Sequence, residues 1–217
     1  MDNTLAKHWV FDLDNTLYPP EAQLFSQIEA LMESFIMREL DVAQDVARHL
    51  RDAYWKEHGT TLAGLMARHG VAPDPFLAEV HDLDLSHITP DPTLARAIEA
   101  LGAHRIIYTN GSRAHGENVS RARGLRDVFA AIYGIEDADY SPKPKAEAFE
   151  MVFSKAGIVP EFAVMVEDDP RNLEVPAALG MTTILVGSAP ENPTIHYQTK
   201  NLAGFLEHVQ ACGFPAR

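Results

Sequence analysis

From about residue 91 onward, short apolar runs alternate with helical patterns. The runs are residues 104–109, 130–135, 162–166 and Thr182–Val186, and with His8–Phe11 they predict five strands. Each is continuous in apolar character, as parallel strands covered on both faces require. The helices between them have readable ends. Asp91 is an N-cap with Pro92 in the first turn, and Gly102, Gly124, Gly157 and Gly180 stand at carboxyl ends. Strand–helix alternation of this kind predicts the α/β class, with a doubly wound, Rossmann-like parallel sheet.

Residues 21–88 have another texture. Leu24, Ile28, Leu31 and Phe35, then Val42, Val46, Leu50 and Tyr54, recur at helical spacing, and no run there reads as a strand. This predicts a helical unit of residues 18–90 inserted after the first strand of a core made of residues 1–17 and 91–217. Leu17-Tyr18-Pro19-Pro20 and Thr89-Pro90-Asp91-Pro92 are the expected connections, stiffened by proline. There is no internal repeat and no low-complexity segment.

With 217 residues and 46% hydrophobic content the chain can bury a substantial core. The net charge of −13, without a Lys/Arg cluster, excludes a nucleic-acid polymer as the expected partner. The acidity is uneven: residues 17–90 hold 5 Lys/Arg against 12 Asp/Glu, and the remainder 13 against 19, so most cations lie outside the insertion. No stretch approaches the roughly 18 apolar residues of a membrane span. Met1-Asp2-Asn3-Thr4 is not a basic segment leading into an apolar one, so a cytoplasmic location is expected. The single cysteine, Cys212, allows no intrachain disulfide or thiolate metal site. Oligomeric state leaves no signal.

Candidate chemistry gathers at the carboxyl ends of the predicted strands, where an open parallel sheet binds its ligand. The first run leads into Asp12 and Asp14, two carboxylates at i and i+2 that an extended chain would turn to one spot, with Leu13 facing inward. Two anions so close require a shared cation or a proton. The second run ends in Thr109-Asn110-Gly111-Ser112 and the fourth in Glu167-Asp168-Asp169, with Ser141-Pro142-Lys143-Pro144-Lys145 ahead of a helix. Singly, each has a plainer reading: Ser112 as an N-cap, Lys143 as a loop lysine, Glu167-Asp168-Asp169 as a capped turn near Arg171. Together they would place acids, a lysine, a hydroxyl and a helix N-terminus at one edge.

Residues 11–17 (Phe-Asp-Leu-Asp-Asn-Thr-Leu), Tyr108-Thr109-Asn110-Gly111, Lys143-Pro144 and Val166-Glu167-Asp168-Asp169 together resemble the four motifs of the haloacid dehalogenase-like hydrolase superfamily. Asp-Asn-Thr-Leu-Tyr-Pro, Thr-Asn-Gly and Glu-Asp-Asp-Pro-Arg-Asn-Leu most resemble its pyrimidine 5′-nucleotidase branch, and the insertion has the position of a cap. The resemblance implies Asp12 as nucleophile forming an aspartyl-phosphate, and Asp14 as general acid, then base. It implies Thr109, Asn110, Gly111 and Lys143 on the phosphate, and Asp12, Asp14 and Asp168 on Mg²⁺. Lys143 is favoured over Lys145 because Lys-Pro-x-x-x-x-Phe ends at Phe149. Many relatives have Gly and a further Asp where Glu167 and Asn172 stand, which leaves Glu167 open as a ligand or supporting group, alongside Asp169.

The implied activity is a Mg²⁺-dependent phosphomonoesterase on a small phosphorylated metabolite, UMP or CMP first. Alternatives are a sugar-phosphate phosphatase, a phosphomutase, or a non-catalytic phosphate-binding regulator. Metal-free dehalogenation is disfavoured by Asp14. In the insertion His49, His58, His69, His81 and His87 lack i, i+4 ligand spacing and read as surface or cap residues. Tyr18, Arg113, His115 and Asn118 are candidates to touch a base or sugar.

Overall fold

A computed structural model of the protein describes residues 6–215. Met1-Asp2-Asn3-Thr4, on which the expected location rests, lies outside them, as do the extreme ends of the two core segments. The strands are β1 (His8–Phe11), β2 (His104–Tyr108), β3 (Ala131–Tyr133), β4 (Ala163–Glu167), β5 (Thr182–Val186) and β6 (Tyr197–Thr199). They form one sheet of order β3-β2-β1-β4-β5-β6, and every pairing is parallel. The five predicted strands are present, and β6 is additional. Its sequence Tyr-Gln-Thr has no apolar run because an edge strand with an exposed centre needs none. The run at 130–135 contributes only Ala131–Tyr133, since Ile135 opens a 3-10 turn over Ile135–Ala138.

Nine helices follow among the described residues: α1 (Leu24–Leu40), α2 (Gln44–His58), α3 (Thr61–His69), α4 (Pro73–Val80), α5 (Pro92–Glu99), α6 (Arg113–Ala122), α7 (Ala146–Ala156), α8 (Glu174–Ala178) and α9 (Leu202–Cys212). Side chains alternate across each strand and so feed two apolar layers. Trp9, Phe11, Val164 and Val166 join α5, α6 and α9, while Val10, Met165, Ile106 and Tyr108 join α7. Asp91 caps α5 through Oδ1 to the Leu94 amide at 3.0 Å, and Gly157 ends α7 at φ +64°, the left-handed turn that glycine takes without strain.

The helices α1 to α4 enclose an apolar core of their own around Phe35, Ile36, Leu65, Phe76 and Val80. The helical spacing read for α1 holds at Leu24, Ile28 and Phe35. For α2 it holds at Leu50 and Tyr54, while Val42 precedes the helix, Val46 is exposed and Ala47 is buried in its stead. Alanine adds little to an apolar pattern, which hides that position. Leu17, Tyr18 and Leu24 pack with the sheet's core. Buried Arg123 donates to Leu17 O, Thr89 O and Asp91 Oδ2, at 3.3, 2.6 and 2.8 Å, and so ties together the chain's exit into the insertion and its return.

Candidate active site

The strands β2, β1 and β4 are neighbours, so the residues after them meet at one edge. β1 ends at Phe11, and from Asp12 the chain turns: Leu17 N donates to Leu13 O at 2.9 Å, and Asn15 adopts φ +60°. The period-2 geometry expected of Asp12 and Asp14 therefore does not apply, although Leu13 does face inward. Both acids line one cavity, but their carboxylates have separate partners.

Asp12 belongs with Lys143. The lysine is fully buried, and its Nζ donates to Asp12 Oδ1 at 2.7 Å, Glu167 Oε1 at 2.6 Å and Tyr108 O at 3.0 Å. All three ammonium hydrogens thus have partners within the protein, where a lysine on the phosphate is expected. Burial disfavours the ammonium, but Asp12 and Glu167 outweigh it and keep Lys143 charged. Asn110 sets the lysine's backbone: Lys143 N donates to Asn110 Oδ1 at 2.8 Å and Asn110 Nδ2 to Lys143 O at 3.1 Å. One amide hydrogen and the amide oxygen are taken up by this clasp, and Asn110 also lines the cavity. Lys145 is exposed, in agreement with the preference for Lys143.

Glu167 is wholly buried. Besides Lys143, Asn172 Nδ2 donates to its Oε1 at 2.7 Å and the Asp169 amide to its Oε2 at 2.9 Å. This accounts for the two departures from the motif pattern. An acid in the place of Gly and an amide in the place of Asp keep the number of carboxylates, and the amide supplies the donor that the relocated carboxylate needs. Asp12, Glu167 and Asp168 bring ligand oxygens within 4.8 Å of one another. The Asp14 carboxylate, expected in that set, stands outside it, and Glu167 takes its place. Burial, then the neighbouring acids, raise Asp12 well above the usual carboxylate range and Asp168 to about 7. Asp169 caps the following turn through Arg171 N at 3.0 Å and is paired with the Arg171 guanidinium.

Asp14 points elsewhere. The Tyr18 hydroxyl and His115 Nε2 both meet its Oδ1 at 2.7 Å, and the Thr109 hydroxyl lies 3.4 Å from Oδ2. Burial alone would raise Asp14, but His115 and Tyr18 outweigh it and hold the carboxyl at about 2. Tyr18 and His115 thus serve the acid and not a sugar or base. Arg113 is paired with Asp137, and Asn118 lines a separate shallow hollow between α4 and α6.

Sequence reasoning missed His81. It follows α4, stacks on His115 with ring centroids 4.3 Å apart, and meets Ser112 Oγ through Nδ1 at 3.0 Å. Its only sequence signal is a histidine at the end of the insertion. Gly111 makes room for the pair, because a Cβ there would lie 2.9 Å from His115 Cδ2 and 3.4 Å from His81 Nε2. The cavity above the acids is about 470 Å³, within the range of small-molecule sites, and the insertion roofs it with Phe25, Trp55, Phe76 and Leu77.

A family model described as haloacid dehalogenase-like hydrolase matches residues 6–180. Phosphate metabolism protein 8 of Saccharomyces cerevisiae is 22% identical over 197 residues, 82% of this chain and 61% of its own length. Enolase-phosphatase E1 of a Bradyrhizobium species is 30% identical over 115 residues, 50% of this chain and 49% of its own. The chain thus spans about half to three fifths of these curated relatives. Among solved structures, a HAD phosphatase from Thermococcus onnurineus superposes with TM-score 0.62 at 18% identity, over 97% of this chain and 100% of that one. CbbY from Rhodobacter sphaeroides in complex with phosphate gives 0.62 at 16%, over 91% and 95%. An L-2-haloacid dehalogenase from Xanthobacter autotrophicus gives 0.59 at 17%, over 95% and 99%. At these identities the structures establish the common fold.

Proposed function

The chain belongs to the haloacid dehalogenase-like hydrolase family, and from that premise we propose that it is a Mg²⁺-dependent phosphomonoesterase with Asp12 as nucleophile. One observation carries the reading: Asp12 lines a cavity of about 470 Å³, is held by a buried lysine and lies beside two further acids. The donor set of Asp12, Glu167 and Asp168 is all carboxylate oxygen, and its crowding resists ionisation. A hard divalent cation fits both facts. These three residues would hold Mg²⁺, which when bound neutralises charge on the acids and on the phosphate.

The residues of the chain do the rest. Lys143 holds Asp12 by Oδ1 and leaves the second oxygen to attack phosphorus. As that bond forms, the phosphorus–ester oxygen bond breaks and the leaving oxygen takes a proton from Asp14. Water then attacks the aspartyl-phosphate, Asp14 takes its proton, and Asp12 and inorganic phosphate are released. Asp14 is a carboxylate in the free protein, the form the second step needs. An incoming phosphate sets negative charge beside it and raises its proton affinity for the first. Thr109, buried at the end of β2, and the Gly111 backbone line the phosphate end.

The helices of residues 18–90 act as the cap. Phe25 and Trp55, both partly exposed, line the cavity from the insertion and offer apolar surface to a leaving group, which supports a nucleoside monophosphate. UMP and CMP are the first candidates, from the motif resemblance. The test is kcat/KM for UMP, CMP, AMP, GMP and a sugar phosphate with Mg²⁺. Pyrimidine nucleotides ahead of purines by about tenfold or more are expected of a shape-based pocket. Equal values, or a win for the sugar phosphate, overturn the nucleotidase assignment, and no phosphate from any ester overturns the phosphatase.

A further inference from the structure

We infer that His115 is a positioning residue: its Nε2–H, with the Tyr18 hydroxyl, fixes Asp14 Oδ1 so that Oδ2 is the oxygen that exchanges protons, and His81 braces the ring from the helical insertion. This rests on the reading of Asp14 as the acid–base group.

The hydrogen-bond roles follow from chemistry. An ionised carboxylate only accepts, so the tyrosine oxygen and His115 Nε2, each 2.7 Å from the same Oδ1, are both donors. Burial and Asp14 push Tyr18 far above its ordinary range, so it stays a neutral donor. Among the described residues Oδ2 has only the Thr109 hydroxyl at 3.4 Å, and that hydroxyl already accepts from the Gly111 amide at 2.9 Å. One oxygen is saturated and the other left open.

The histidine itself is built in. Its side chain is 1% exposed, and its backbone N–H donates to the N-cap, Ser112 Oγ, at 3.1 Å, so the cap of α6 fixes the residue whose ring is used. The same Ser112 Oγ is 3.0 Å from His81 Nδ1, and having accepted from His115 N it can donate there. The two rings are stacked and nearly parallel, 18° apart, with centroids at 4.3 Å. Any sideways movement of His81 with the insertion must displace His115 or open the stack. Gly111 is the residue whose missing Cβ permits this approach. The plainer account, a satisfied core histidine, predicts no link to the chemistry of the leaving group.

That difference is measurable. Since kcat/KM reports steps up to transfer of phosphorus to Asp12, it isolates leaving-group departure. Ethyl phosphate needs a proton on its leaving oxygen, whereas 4-nitrophenyl phosphate releases a stable phenolate and does not. His115→Ala is expected to lower kcat/KM about 10²-fold on ethyl phosphate, the scale of a misplaced acid, and by less than about tenfold on 4-nitrophenyl phosphate. His115→Gln, which keeps an N–H donor at similar reach, should recover most of the loss, and His81→Ala should show the same split, more weakly. Tyr18→Phe removes the other donor on Oδ1 with almost no change of shape and should split the two esters as well, so the inference can be decided even where His115→Ala does not fold. Equal losses on both esters, or none, overturn it. A wild-type protein that releases phosphate from neither ester overturns the reading of the site, and this inference with it.

Discussion

Replacing Asp168 by Asn should stabilise the metal-free protein and destabilise it relative to wild type once Mg²⁺ is present. The Asp168 carboxyl ordinarily ionises near pH 3.8; burial, then Glu167, raise that to about 7 in the fold. At about 1.4 kcal/mol for each tenfold change in proton affinity, the ionised form costs the fold at most about 4 kcal/mol. Asp168 keeps partial contact with solvent and shares its protons with the neighbouring acids, which brings the effect to about 1–2 kcal/mol. The sign is fixed: the folded carboxyl holds its proton where the unfolded one has lost it, so stability falls as pH rises from about 4 through 7. An amide cannot ionise and can still donate to Glu167. In EDTA at pH 8 the variant should melt about 2–6 °C above wild type, and near pH 4 the two should coincide. At a hundredfold excess of Mg²⁺ over its Kd, wild type gains about 2.7 kcal/mol, the variant less, and the order reverses. Thermal melts across this grid decide it. A variant that melts below wild type in EDTA at pH 8, or equal Mg²⁺ shifts for both proteins, would refute the reasoning.

Two further expectations follow from the same cluster. Asp12→Asn, nearly isosteric, should fold normally by circular dichroism and lose several orders of magnitude in phosphate release, and wild-type-like turnover by the folded variant would sink the covalent mechanism. Lys143→Met strands Asp12 and Glu167 in a buried site and should cost about 3–5 kcal/mol in urea unfolding at neutral pH; an unchanged midpoint would contradict the lysine's assigned part.

Much of this was legible in the chain because parallel strands buried on both faces leave continuous apolar runs, and polar residues just past them are then placed by topology alone. Asp12, Thr109, Lys143, Glu167 and Asp168 converge on that ground. What escaped depends on distance across the fold. β6 is too short and polar to register, and the buried face of α2 rests in part on Ala47. The divergence of Asp12 and Asp14 depends on where β1 ends, a single-residue matter that apolar patterning does not resolve. His81 and His115 are 34 positions apart and meet only because the insertion folds back over α6, so neither spacing nor composition could pair them.

The site also marks a point in time during assembly. β1 pairs with β2, about a hundred residues away, and with β4, about a hundred and fifty away, and every proposed catalytic group hangs on those pairings or on the loop beside them. The insertion, by contrast, closes over shorter separations, α1 on α2, α2 on α3, and α1 on α4 about forty residues on. Loop closure over long separations is the slow part of such a topology. During refolding, helical signal should therefore return before activity, and enzymatic turnover becomes a clock for the last and longest-range event in the folding of this chain.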